Sequence, residues 1–311
     1  MNYPQLKQSQ QGLTLIEIMV AITISLILMA GVLQIFVSNN QNYRVQESTS
    51  RVQENGRFAT HIMAQEVRMA DFWGCAGSAT TVNNRVNAGG GTPNPADGGI
   101  AGTNDTGLNN SDTITLQGAF GSGIGVTAHN VNAASFTTTG VNGAFDRFDI
   151  VLASDCQTAD IFQVSGPAVD PLTNNVVSNT GVGTPGNSSK PQMSYANGSA
   201  MIYAVRKIIY SIKAGASGEP ALFRSVNGVD VELVEGVENM QILYGEDTDN
   251  DQTANRYVAA DAAGLNMNNV VSVRITLTLR TIEDGLASVT ANGDRRIRRN
   301  YTTTVAIRNR V

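Results

Sequence analysis

Residues 12–37 read GLTLIEIMVAITISLILMAGVLQIFV, and their reading decides the fold. From Leu13 to Val37 the run carries one charge, Glu17, and no proline. A helix needs about 20 apolar residues to cross a bilayer, so this run is long enough. A secretory signal has a shorter apolar core, roughly 7–15 residues, followed by a small-residue A-x-A site. Here the core is too long and no A-x-A follows it. A plain signal anchor remains open, but it leaves Glu17 unexplained. A carboxylate at the membrane centre of a helix costs about 2.5–3.5 kcal/mol, and less near the end, where Glu17 lies. Two readings of Glu17 stand. Its side chain snorkels to the headgroups, or an amine neutralises it. Cleavage after Gly12 would give Leu13 a free amine and make Glu17 the fifth residue of the shortened chain. The amine of a neighbouring copy would then be its partner.

Outward from this run, residues 1–12 (MNYPQLKQSQQG) are polar, with Lys7 the only charged side chain. On the other side, residues 38–71 are polar and free of proline. Val45, Val52, Phe58, Ile62 and Met69 recur there at mostly helical intervals, which predicts an amphipathic helix with a narrow apolar stripe. Gly31 and Gly56 are soft points in it, at about 1 kcal/mol each against Ala. Gly74 is expected to end it, as a residue that accepts the left-handed conformation. At ~1.5 Å per residue the whole helix would reach about 80–90 Å.

The rest reads as β-rich. Val271, Val273, Ile275, Leu277 and Leu279 alternate with polar residues, as in a half-buried strand. YTTTVAIR (301–308) reads as another. Further strands are expected at 113–116, 148–153, 203–213, 222–225, 229–234 and 240–244. Two stretches, about 77–111 and 165–200, are rich in Gly, Asn, Ser and Thr. They bury too little apolar surface to order strongly and read as long surface loops of one head. The fold class is therefore α+β: a long N-terminal helix packed on a β-rich globular head. The expected divisions are 1–12 leader, 13–37 membrane half of the helix, 38–73 amphipathic half, and 74–311 head.

The chain has 311 residues, net charge -5, two cysteines and two histidines. Two cysteines exclude a disulfide-dense scaffold and a multi-cysteine zinc site. The acidic balance argues against a nucleic-acid module.

Gly12 followed by Leu13-Thr14-Leu15-Ile16-Glu17 and an apolar helix resembles a type IV prepilin N-terminus. The resemblance implies that a membrane peptidase cuts after Gly12 and methylates Leu13, and that Glu17 helps subunits dock in a filament. Leu13 in place of the usual Phe, and no proline between Pro4 and Pro93, suit a minor pilin or pseudopilin better than a major pilin. DFWGCAG (71–77), LVEGVENMQILYGEDTDNDQTANRY (233–257), VVSVRITLTLR (270–280) and RRNYTTTVAIRNR (298–310) resemble the PilW family of minor pilins. About 80–200 has no such likeness beyond short strands.

That resemblance implies a single-pass inner-membrane protein with a periplasmic head, later in the pilus. Its implied partners are the prepilin peptidase/methyltransferase, other minor pilins, the major pilin, the inner-membrane assembly platform and a tip adhesin. It would prime assembly and sit at the pilus tip. The J-type pseudopilins of type II secretion share this plan and are the nearest alternative. A DNA-uptake pilin and a signal-anchored periplasmic enzyme are the others.

Four constellations remain. Cys75 and Cys156 would lie in an oxidising compartment, where a disulfide can persist. The alternatives are one bond tying the helix end to the sheet, or two buried thiols. Asp247, Asp249 and Asp251 alternate like the first ligands of a calcium loop, but Gln252 and Val258 stand where the EF-hand needs Gly and Glu. A partial calcium site, with Asn255 as a further ligand, competes with a solvated acidic turn. No other cofactor is expected. Arg295, Arg296, Arg298 and Arg299 form a basic cluster that could meet phosphate or an acidic partner; nucleic acid is not the expected partner. Gly181 to Gly186 matches G-x-G-x-x-G by chance, lacking a strand before it and a helix after it. No nucleophile elbow is present and neither His61 nor His129 neighbours a nucleophile, so no enzyme activity is expected.

Overall fold

The apolar run and the polar stretch after it form one unbroken helix, α1, Leu15–Met69. This computed structural model describes residues 12, 14–74, 82–89, 92–168, 171–192, 195, 200–289 and 293–311. Without proline, nothing removes a backbone donor along α1, and the helix passes through Gly31 and Gly56 without a break.

The helix ends at Met69, earlier than Gly74. Asp71 takes the left-handed conformation instead, at φ 62. Asp visits that region more readily than most residues because its short side chain can bond locally. Two hydrogen bonds capture the chain there. Asp71 N–H donates to Gln117 O (2.8 Å), and Ala119 N–H donates to Phe72 O (2.6 Å). Between them a Cβ on Gly118 would sit 3.1 Å from the Phe72 backbone, so the crossing needs a glycine.

Among the described residues fourteen strands follow: β1 Val82–Asn84, β2 Ile100–Thr103, β3 Thr113–Asn130, β4 Ser135–Thr138, β5 Ile150–Ser154, β6 Ala159–Gln163, β7 Asn175–Val177, β8 Met201–Ala214, β9 Pro220–Val226, β10 Val229–Glu235, β11 Val237–Glu246, β12 Arg256–Val258, β13 Val270–Arg280 and β14 Arg298–Ala306. The long strands β3 and β8 pair from Ile114↔Tyr210 to Gly125↔Met201, across a bulge between Phe120 and Ile124. Near the helix, this pair is extended by β2 on one side and by β9 and β10 on the other. Away from it, the same pair is extended by β4 and β7 and by β5, β6 and β1. A separate four-stranded sheet, β12-β11-β13-β14, completes the helix-proximal half.

The expected strands at 203–213, 222–225, 229–234, 240–244 and 271–280 lie inside observed ones, and that at 301–308 overlaps β14. The two polar stretches depart from the expectation. They contribute β1, β2 and β7, and they bury Leu172, Val176 and Tyr195. Their order comes from hydrogen bonding as much as from apolar burial. Asn187 and Gln163 bond reciprocally: Gln163 N–H donates to Asn187 Oδ1 (2.7 Å) and Asn187 Nδ2 donates to Gln163 O (2.8 Å).

The predicted stripe on α1 is also corrected. The buried helix positions are Val52, Gly56, Ala59, Met63 and Val67, while Phe58 is exposed. Small residues face the sheet because the Tyr301 ring of β14 occupies the space. A Cβ on Gly56 would approach Tyr301 Cε2 to 2.4 Å. Gly56 is thus a close-approach position, with the sheet lying directly on the helix.

Candidate functional site

The site begins at the helix N-terminus. Thr14 is in the extended conformation and caps α1. Its Oγ1 accepts from Glu17 N–H (3.3 Å). In return, Glu17 Oε2 accepts from Thr14 N–H (2.9 Å) and Thr14 Oγ1 (2.8 Å). This reciprocal capping box satisfies donors that the first helical turn would otherwise leave open. Sequence reading left Glu17 between the headgroups and a neighbouring amine and missed Thr14, although T-x-x-E ahead of an apolar run carries the signal. Gly12 is exposed, next to this cap. Leu13, the expected cleavage and methylation position, lies outside the described residues.

Every residue from Thr14 to Arg44 is exposed. That includes Ile18, Ile22, Leu26, Met29, Leu33 and Phe36. The most apolar window of the helix has mean hydropathy 2.5, and none of it is buried within the chain. A bare apolar helix of this length has water as a poor solvent, so lipid or other helices must cover it.

Beyond Arg44 the helix is built into the head. Glu66 accepts from Tyr210 Oη (2.6 Å) and from Arg224 Nε (3.0 Å). Burial and the adjoining Glu66 carboxylate push the Tyr210 phenol upward. The C-terminal segment holds the helix end. Arg308 N–H donates to Arg68 O (3.1 Å), Asn309 Nδ2 to Ala70 O (2.9 Å) and Arg310 Nε to Asp71 Oδ2 (2.6 Å). None of these partners was read from the sequence, because each pairing joins the helix end to the far end of the chain.

The basic cluster is not a free phosphate site. Arg298 pairs with Glu238 and Asp294, and Arg296 pairs with Glu219 (2.8 Å). Arg280 joins Glu219 to Glu238. Hydrogen bonds from Arg298 hold the Glu238 carboxyl below its ordinary value, and those from Arg296 do the same for Glu219. Only Arg295 and Arg299 of the cluster are exposed. Spacing alone could not show that the acids on β11 and before β9 reach these arginines.

Asp247, Asp249 and Asp251 do converge, with ligand atoms within 4.8 Å of one another. Each already accepts hydrogen bonds from its own loop. Asp247 accepts from Asn250 N–H (2.7 Å) and Gln252 N–H (2.8 Å), Asp251 from Thr253 N–H (2.8 Å) and Asp249 from Asn255 Nδ2 (3.1 Å). The Asn255 oxygen accepts from Thr248 N–H (2.6 Å). The geometry is that of a self-bonded acidic turn, and the cluster by itself assigns no ion.

Cys156 sits in the β5–β6 turn at φ 68. Cys75 lies outside the described residues. Its neighbour Gly74 lies against β5, where an added Cβ would come 2.7 Å from Ser154 Cβ. His129 stacks on Phe136 (3.9 Å between ring centroids) and its Nδ1 accepts from Tyr195 N–H (3.3 Å). His61 is exposed on α1. Gly181 to Gly186 forms part of a turn-rich connection, with no helix directly after it among the described residues.

Two family models match the chain. The prokaryotic N-terminal methylation motif matches residues 7–33, and the family described as type IV pilus-assembly protein W matches residues 209–309. No curated protein and no solved structure matches. The first match covers the cap and the start of the exposed helix. The second covers β9 to β14 and the end of β8, the strands that hold the rest of that helix. The exposed helix start thus resembles that of type IV prepilin-like proteins, and the strands that hold the rest of the helix resemble the PilW family of pilus-assembly proteins.

Proposed function

We propose that this protein is a minor pilin of the type IV pilus, which primes assembly and forms part of a tip complex presenting an adhesin. One observation carries the reading: a single continuous helix whose first half is wholly exposed and apolar and whose second half is fused to the head. Such a shape can sit in the inner membrane as a single-pass anchor with a periplasmic head. It can then move into a filament without refolding, because neighbouring helices replace lipid around the same face.

In this account prepilin peptidase cuts after Gly12 and methylates Leu13. Glu17 then exchanges its Thr14 bonds for the amine of a neighbouring subunit. Other minor pilins, the major pilin and the assembly platform are the partners, and the protein's role is structural. Cys75 and Cys156 form a disulfide that ties the chain after α1 to the β5–β6 turn. The contact of Gly74 with Ser154 supports this, as does the lack of a free cysteine among the described residues. Closing so long a loop stabilises by a few kcal/mol, about 4–5 in the chain-entropy model.

The test is complementation of a strain lacking this chain. The wild-type chain should restore surface pili. Glu17→Ala should reach the membrane in equal amount and restore few. Normal piliation with Glu17→Ala would sink the docking role. Normal piliation without the protein, together with failed protein secretion, would assign it to a type II secretion pseudopilus instead.

A further inference from the structure

We propose that residues 281–289, which follow β13, are a second membrane contact, seating the head on the phospholipid headgroups beside α1. The inference rests on the membrane-anchored reading of α1 and adds a surface to it.

The direction of the strands comes first. Tyr301 lies over Gly56, and Arg308 bonds to Arg68. The strand β14 therefore runs in the same sense as α1. Its start, and the loop before it, lie at the end of the head nearest the apolar half-helix. Arg44 on α1 pairs with Glu283 of this loop. Arg44 stands seven positions beyond Val37, the last residue of the apolar run. That is about 10 Å along the helix axis. The headgroup layer adds roughly 5–8 Å to each side of the hydrocarbon. The loop is thus pinned just outside that layer, within a side chain's reach of the headgroups.

The composition of the loop fits the position. Val289 is 69% exposed, the most exposed large apolar side chain among the described residues of the head, and Ile282 is 41% exposed. The polar groups around them are mixed in sign: Arg44 and Glu283, Asp284 accepting from Arg295 N–H (2.7 Å), and the exposed Arg295. Such a surface suits an interface with both phosphate and amine groups, where apolar side chains enter the acyl boundary. The loop is also held firmly. Arg296 and Arg298 anchor its C-terminal arm to Glu219 and Glu238, and Thr281 N–H donates to Ile297 O (2.9 Å). These bonds fix the described parts of the loop, 281–289 and 293–297, relative to the sheet that lies on α1.

The test uses full-length protein in nanodiscs of phosphatidylethanolamine and phosphatidylglycerol. A nitroxide is placed in turn at Leu26→Cys, Val289→Cys and Val229→Cys, with the unsubstituted chain as the labelling blank. All three native side chains are exposed, so the label need not disturb the fold. Val229 begins β10 beyond the Arg224–Glu66 pair, far up the helix, and serves as the water reference. Accessibility to oxygen against a water-soluble nickel complex gives depth. The expected result is a ratio several-fold higher at 289 than at 229, lost when amphipol replaces lipid. A ratio at 289 equal to that at 229, with 26 still in lipid, overturns the seating alone. Water-like values at 26 overturn the anchor reading beneath it. Shielding at 289 that persists in amphipol overturns the seating in favour of a protein neighbour.

Discussion

Met63 of α1 and Asp160 of β6 are both fully buried, at opposite ends of the head, and they are held by different means. Met63 belongs to a core with Val273, Ile275 and Leu277 of β13 and Ile208 of β8. Asp160 accepts from Arg85 Nε (2.6 Å) and from Tyr195 Oη (2.7 Å). Those two partners come from the two Gly- and Asn-rich stretches, so a single carboxylate fastens both to one strand. Burial and the Asp160 charge push the Tyr195 phenol upward. The helix-proximal half is thus an apolar sandwich that a family model recognises. The distal half carries apolar clusters too, but its long connections are fixed by polar side chains. The proximal half holds the helix, and its apolar packing is repeated along α1.

The largest effect that would break this comparison comes from the distal half. Asp160→Ala leaves Arg85 and the Tyr195 hydroxyl without their partner, and losing one member of a buried pair costs about 3–5 kcal/mol. Hydrogen exchange should show the amides of β6 and of residues 175–192 losing protection, while β13 and β14 keep theirs. Equal loss in both halves would make them one cooperative unit. Next is Met63→Ala, which should cost about 2–5 kcal/mol. It is expected to lower the thermal midpoint and to free the helix for proteolysis above Arg44. An unchanged midpoint would remove Met63 from the apolar side of the contrast. Gly56→Ala should cost about 1–3 kcal/mol by overpacking against Tyr301. Tyr301→Leu should relieve it, and failure of that rescue would place the strain elsewhere.

The smallest effect is a pH dependence confined to the proximal half. Glu238 and Glu219 ionise below their ordinary value of 4.5 because Arg298 and Arg296 bond to their charged forms. Stability from these pairs is fully present above that value and is lost as pH falls through the depressed ones. Asp112, whose carboxyl is raised by burial, works in the opposite sense and is favoured in acid. Acid melts should therefore loosen the 281–297 loop first. Arg298→Gln should flatten this acid limb while leaving the melt at neutral pH shifted by only about 1 kcal/mol or less. An acid limb unchanged in that variant would remove the arginine network as its cause.

The proximal half was largely legible in the sequence. Strict alternation from Val271 to Leu279 marks a strand with one buried face, and the observed β13 buries that set. The apolar run with Glu17 near its start announced the helix. What escaped was written in small or polar residues. Gly56 and Ala59 form the helix contact, yet neither counts as apolar in a periodicity. The strand at Thr113 was expected to stop at Leu116, because glycines follow it; it continues to Asn130 since Gly118 allows a close crossing. The stretches read as loose loops are ordered by Asn187, Gln163 and Asp160, whose partners are far away in sequence. The alternating aspartates after β11 were legible as a turn, and their hydrogen bonds to successive backbone N–H groups explain the spacing.

The most direct test of the central claim is mass spectrometry of pili sheared from the cell surface. The account predicts a peptide that begins at N-methylated Leu13, carried by the external filament. An uncut N-terminus in both pili and membranes would contradict it.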